Sequence, residues 1–103
     1  MTREEFRTKI AEKGYLLLDG GTGSVLRTMG MPAGVSTEKW AYEHPEVIGE
    51  LQRQYAEAGS DVIYAPTFAA NRISLEKMGI ADMIVELNQT MVKRRLCPQM
   101  KQP

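Results

Sequence analysis

Hydrophobic positions along the chain fall into short unbroken runs and into stripes at helical spacing. Two runs are unbroken. Tyr15-Leu16-Leu17-Leu18 leads into Asp19, and Gly20, Gly21 and Gly23 follow. Asp61-Val62-Ile63-Tyr64-Ala65 is the second and stops at Pro66, which has no N–H to offer a ladder. Short apolar runs bounded by turn residues predict buried strands. Asp19 and Thr67 then stand just past the carboxyl ends of the two strands, where α/β folds place their ligands.

The remaining apolar positions predict helices. Thr2 with Glu5 forms a capping box for a helix from Arg3 to Lys13, with Phe6 and Ile10 as its apolar stripe and Gly14 as its stop. Thr22 to Met29 predicts a short helix carrying Val25, Leu26 and Met29. Gly30 to Gly34 is a loop by its breakers. Ser36 or Thr37 caps a helical turn through Trp40 and Tyr42. Pro45 suits a first helical position, and Val47, Ile48, Leu51, Tyr55 and Ala58 line one face of the helix it opens, which Gly59 stops. Asn71 to Met78 and then Ile80, Met83, Ile84, Leu87 and Met91 predict two more helices, the last ending near Lys93.

Two strands joined through helices predict a parallel crossover and an α/β fold, with Asp19 and Thr67 at one edge. Two parallel strands leave edges unpaired, and continuous apolar strands expect neighbours and covering helices. The pattern therefore reads as the first part of something larger. The stretch from Arg94 to Pro103 has no periodicity and is expected to be an irregular tail.

Composition narrows the function classes. Thirteen basic residues balance 13 acidic ones, which argues against nucleic acid or an anionic membrane as partner. No apolar run approaches the roughly 20 residues of a membrane span. The single cysteine, Cys97, cannot form an internal disulfide, so a reduced, cytoplasmic protein is expected.

Candidate chemistry centres on the glycine-rich turn. Gly21-Thr22-Gly23 begins like a dinucleotide fingerprint, but Leu26 stands where the third small residue belongs, and no Gly-Lys-Ser/Thr follows for a P-loop. Two readings remain: backbone N–H groups beside Asp19, suited to a small zwitterion, or a tight strand-to-helix turn with Asp19 as cap. Pro66-Thr67-Phe68 offers a hydroxyl and an aromatic at the second strand's end, either as a pocket rim or as a proline turn with Phe68 in the core. His44, the only histidine, reads as a capping or packing residue at a helix start. Trp40 and Tyr42 read as core or lid packing, and the seven methionines as core filler. Cys97 reads as a bystander thiol, since zinc takes three or four ligands.

Several stretches together carry a family resemblance: Leu17-Leu18-Asp19-Gly20-Gly21-Thr22-Gly23-Ser24, Glu43-His44-Pro45-Glu46-Val47-Ile48, Tyr55-Ala56-Glu57-Ala58-Gly59-Ser60-Asp61-Val62-Ile63, then Thr67-Phe68 and Asn71-Arg72. In this order and spacing they resemble the N-terminal part of the homocysteine S-methyltransferase domain, of the cobalamin-dependent methionine synthase, corrinoid methyltransferase and betaine–homocysteine methyltransferase type. The resemblance implies a TIM (β/α)8 barrel in which a zinc ion on three cysteine thiolates binds the homocysteine thiol. The resulting thiolate takes a methyl group from cobalamin, betaine or a methylsulfonium donor. It further implies that Asp19, Gly20 and Gly21 hold the amino-acid end of the thiol substrate, with Thr67 and Phe68 in the second loop. Where the family commonly reads Thr-Asn-Thr-Phe-Gly-Ala, this chain has Ala65-Pro66-Thr67-Phe68-Ala69-Ala70, which leaves the acceptor open between homocysteine and a similar thiol. The zinc cysteines belong to later strands, and Cys97 matches none of them.

The expectation is thus an α/β chain: the first two β/α units of a truncated TIM barrel over residues 1–93, then a tail over 94–103. Zinc and cobalamin are cofactors of the full-length family. The alternative is a non-catalytic β/α module that self-associates or pairs with a complementary chain.

Overall fold

The computed structural model describes residues 2–93, and within them the chain is helical. Helix α1 spans Arg3–Lys13, α2 Gly23–Thr28, α3 Thr37–Glu43, α4 Pro45–Glu57, α5 Arg72–Lys77 and α6 Ile84–Lys93, with a 3₁₀ turn at Ala81–Met83 before α6.

The termini of these helices follow from local chemistry. The Thr2 hydroxyl accepts from the Glu5 N–H at 3.1 Å. Gly14, at φ 80°, lets its N–H reach back to the Ile10 carbonyl at 2.7 Å and closes α1. Of Ser36 and Thr37, Ser36 is the cap of α3, accepting from Lys39 N–H at 3.3 Å. The Asn71 side chain accepts from Ser74 N–H at 2.9 Å and starts α5. Along the outer side of α4, Arg53 pairs with Glu50 and Glu57, and Glu50 is drawn down to about 2 by the Arg53 guanidinium and then by Gln54.

The core is built between helices. Leu26 of α2, Met31, Ala41 of α3, and Ile48 and Leu51 of α4 form one buried cluster, with Val25, Met29, Trp40, Val47 and Tyr55 packed around it. Ala70, Leu75, Leu87 and Met91 are also buried. Helix α3 touches both α4 and α6, so it links the two groups. The Tyr42 hydroxyl adds a hydrogen bond to Glu86 across α3 and α6. Helix α1 buries none of its residues. Its two-residue stripe is too narrow to form a core face, and Phe6 and Ile10 remain 43% and 38% exposed.

The α/β expectation is corrected here. Neither Tyr15–Leu18 nor Asp61–Ala65 becomes a strand, and the described residues form no sheet; a single parallel bridge joins Leu18 to Val62. The described fold is therefore not two β/α units of a barrel. The reason lies in how the backbone groups are satisfied. The Leu17 carbonyl accepts from both Asp61 N–H (2.7 Å) and Val62 N–H (3.2 Å), while Leu17 N–H donates to the Asp61 carboxylate at 3.0 Å. The Ser60 hydroxyl donates to the Leu18 carbonyl at 3.3 Å. Side chains thus take positions that a ladder would fill. A lone parallel pair is also the weaker kind of pairing and lacks cover on its faces. Tyr15 (61%), Leu17 (46%), Leu18 (44%) and Tyr64 (66%) are accordingly exposed, not buried as continuous strands would require. Cys97 and the expected tail over 94–103 lie outside the described residues.

Candidate functional site

The bridge still performs one task of a sheet, because it runs Leu18 and Val62 in the same direction. The segments that follow each of them therefore emerge on the same side. They frame a cleft of ≈ 850 Å³, whose walls include Asp19, Gly20, Thr22, Gly23, Ser36, Thr37, Glu38, Thr67 and Phe68.

The first wall is the turn after Leu18. Here Gly20 answers a steric need. A Cβ at this position would stand 3.0 Å from the Tyr55 hydroxyl, and that hydroxyl donates to the Gly21 carbonyl at 2.7 Å. Neither Gly20 nor Gly21 takes a positive φ. Gly20 serves close approach by Tyr55 of α4, and a Cβ on Gly21 would instead stand 3.1 Å from the Ser24 hydroxyl oxygen; neither glycine serves a left-handed turn. The Asp19 carboxyl is pushed above its ordinary value by desolvation, and N–H groups of Tyr64 and of Asp19 itself draw it partly back.

The second wall is the stretch after Ala65. Pro66 sits at the centre of a three-residue turn closed by Thr67 N–H to Ala65 O at 2.8 Å, a conformation its fixed φ favours. Ala70 N–H returns to Thr67 O at 3.0 Å and completes a second turn. Two helices hold this stretch. The Glu38 carboxylate of α3 accepts from Ala69 N–H at 3.0 Å, and the Asn88 amide of α6 donates to Ala70 O at 2.8 Å and to Ile84 O at 2.7 Å.

The structure brings Asp19, Gly20, Thr67 and Phe68 to the same cleft. Gly21 is not on its wall and contributes its carbonyl to Tyr55 instead. Phe68 is 98% exposed, so it stands on the rim and not in the core. His44 stacks on Trp40, with ring centroids 4.1 Å apart at 17°, and its Nδ1 lies 2.8 Å from the Trp40 carbonyl oxygen. His44 is a packing residue here, and neither ring lines the cleft.

Glu38 was missed by the sequence reading. It is buried to 5% exposure, on the same inward face of α3 as Ala41. Its signal was the three-residue spacing to Ala41, which puts a carboxylate on an apolar stripe. The cleft wall thus carries two carboxylates, Asp19 and Glu38, and no lysine, arginine or histidine. No three His, Cys, Asp or Glu residues converge for a metal among the described residues, so these residues do not fit a zinc ion. No helix among them is long and apolar enough to cross a membrane.

Comparison with known proteins adds the family context. Residues 16–102 match the homocysteine S-methyltransferase family. Betaine–homocysteine S-methyltransferase 1 of Sus scrofa is 40% identical over 62 residues, 59% of this chain and 22% of that protein. Methionine synthase of Mycobacterium leprae is 36% identical over 61 residues, 57% of this chain and 5% of that protein. The chain therefore spans only a minor part of the length of these relatives. No solved structure matches it.

Proposed function

The chain belongs to the homocysteine S-methyltransferase family, and from that premise we propose that its cleft takes the amino-acid end of homocysteine or a similar thiol. One observation carries this reading. The Asp19 carboxylate lines the cleft, with no cationic side chain on its wall. Such a site favours a ligand with an ammonium group, because the Asp19 carboxylate gains a charge partner that the protein does not provide, while Glu38 is already engaged by Ala69 N–H. The hydroxyls of Thr22, Ser36 and Thr67 on the same wall are available to the ligand's carboxylate.

The reaction assigned to the whole enzyme is methyl transfer to sulfur. A thiolate forms the new S–C bond while the bond from carbon to its carrier breaks, and the carrier leaves with the electron pair. The carrier is a corrinoid such as cobalamin or another activated methyl compound. In the family zinc supplies the acidity of the thiol. The described residues bring no zinc site together, and the full sequence holds a single cysteine and a single histidine. The role of these residues is to bind and orient the acceptor. With one cysteine and no disulfide partner, a reducing cytoplasm is the compartment that suits the chain.

The test is calorimetric titration of the full chain with L-homocysteine and with 4-mercaptobutanoic acid, which lacks the ammonium group. Saturable binding of homocysteine, at least about tenfold tighter than the analogue, is expected for one charged hydrogen bond. Equal affinities, or no binding of homocysteine, would remove the reading.

A second reading is favoured by the exposed apolar side chains Tyr15, Leu17, Leu18 and Tyr64 around the bridge. On it the chain is a non-catalytic module that pairs with a second copy or a complementary chain. Light scattering over a range of concentrations separates the two: a constant monomer mass counts against self-association.

A further inference from the structure

We propose that Glu38 is a positioning residue whose reach, not its charge, fixes the second wall of the cleft. The inference rests on the reading above only for what the cleft binds. With a single bridge beneath them, the two walls are not held in register by a ladder. The segment from Pro66 to Ala70 must be held from elsewhere, and α3 and α6 do so at consecutive residues. Glu38 accepts from Ala69 N–H, and Asn88 donates to Ala70 O. A carboxylate at 5% exposure is costly to bury unless its hydrogen bonds are made. A backbone N–H donating to it across the cleft ties the loop to the helix that carries Ser36 and Thr37. Ser36 and Thr37, which also line the cleft, are the cap and first residue of that helix. One side chain thus sets the distance between α3 and the Thr67 turn.

Two substitutions separate reach from charge. Glu38→Gln keeps an acceptor oxygen at the same distance and removes the charge. Glu38→Asp keeps the charge and is one methylene too short for Ala69. Amide hydrogen exchange and homocysteine titration are measured on the full chain. Glu38→Gln is expected to exchange the Ala69 amide, and to bind homocysteine, within a factor of two or so of the unmodified chain. Glu38→Asp is expected to speed Ala69 exchange and to weaken homocysteine, each about tenfold, with the Leu87 amide unchanged. The opposite pattern, loss in the Gln variant and retention in the Asp variant, overturns the proposal, as does unchanged Ala69 exchange in both. If the unmodified chain does not bind homocysteine, the functional reading falls and the exchange result alone decides the role of Glu38.

Discussion

The Tyr55 hydroxyl donates to the Gly21 carbonyl at 2.7 Å while standing 3.0 Å from the point where a Cβ on Gly20 would be. A core-facing helix residue therefore shapes a turn that lines the cleft. Tyr55→Phe removes the bond and keeps the ring, so a loss of about 1 kcal/mol in urea unfolding is expected. Gly20→Ala pushes the hydroxyl off Gly21 and is expected to cost at least as much. A Gly20→Ala chain as stable as the original would show that the contact is slack.

Asp61 ties the first helix to the bridge. Its carboxylate accepts from Leu17 N–H at 3.0 Å and from Lys13 at 2.6 Å, with Lys9 at 3.9 Å. These partners, the Leu17 N–H first, hold its pKa below the usual value. A lowered folded value means that the unfolded chain binds more protons between the two values. The stabilisation is therefore complete above about pH 3.9 and is lost as pH falls through the lower folded value. Asp61→Asn is expected to loosen α1 at neutral pH and to flatten this acid limb, read as exchange of the α1 amides from pH 5 to pH 2. An unchanged acid limb in the variant would show that other groups hold α1.

Asp19 carries the opposite sign. Its folded value is raised, chiefly by desolvation, so the folded chain holds the proton more tightly than the unfolded one. Stability contributed by the protonated form is present below the unfolded value and is lost as pH rises through the folded value. An ammonium ligand needs the ionised form, so homocysteine affinity is expected to rise across the same interval and then level off. Asp19→Asn is expected to bind weakly at every pH. Titration calorimetry between pH 4 and pH 7 reads this directly, and a pH-independent affinity would separate Asp19 from the ligand.

Leu26 is fully buried at the centre of the main cluster. Leu26→Ala is expected to lose about 2–5 kcal/mol of unfolding free energy, from lost transfer and the cavity left behind. Ile73→Ala, at a position 70% exposed, is expected to change stability by about 0.5 kcal/mol or less.

The helices were legible because their signals are local. Thr2, Ser36, Pro45 and Asn71 each sit at the helix start their chemistry foretells. The family was legible from motifs in order, and the meeting of Asp19 with Thr67 at one cleft followed from the parallel direction of the two apolar runs. The strands were misread because an apolar run records what a segment can pair with, not whether a partner is present. Leu17 and Tyr64 have the composition of buried strand and stand in solvent, and the Asp61 carboxylate takes the Leu17 N–H. The partner of Glu38 was illegible for a related reason. The bond from Glu38 to Ala69 crosses 31 positions and joins a side chain to a backbone group, which no local pattern encodes.

The stack of Trp40 on His44 gives the molecule a built-in optical gauge. Trp40 is the only indole in the chain, and an imidazole ring lies 4.1 Å from it at the junction of α3 and α4. Any event that parts the two helices changes the surroundings of that indole, so a single unlabelled fluorophore reports on the frame from which the cleft's Glu38 side is hung.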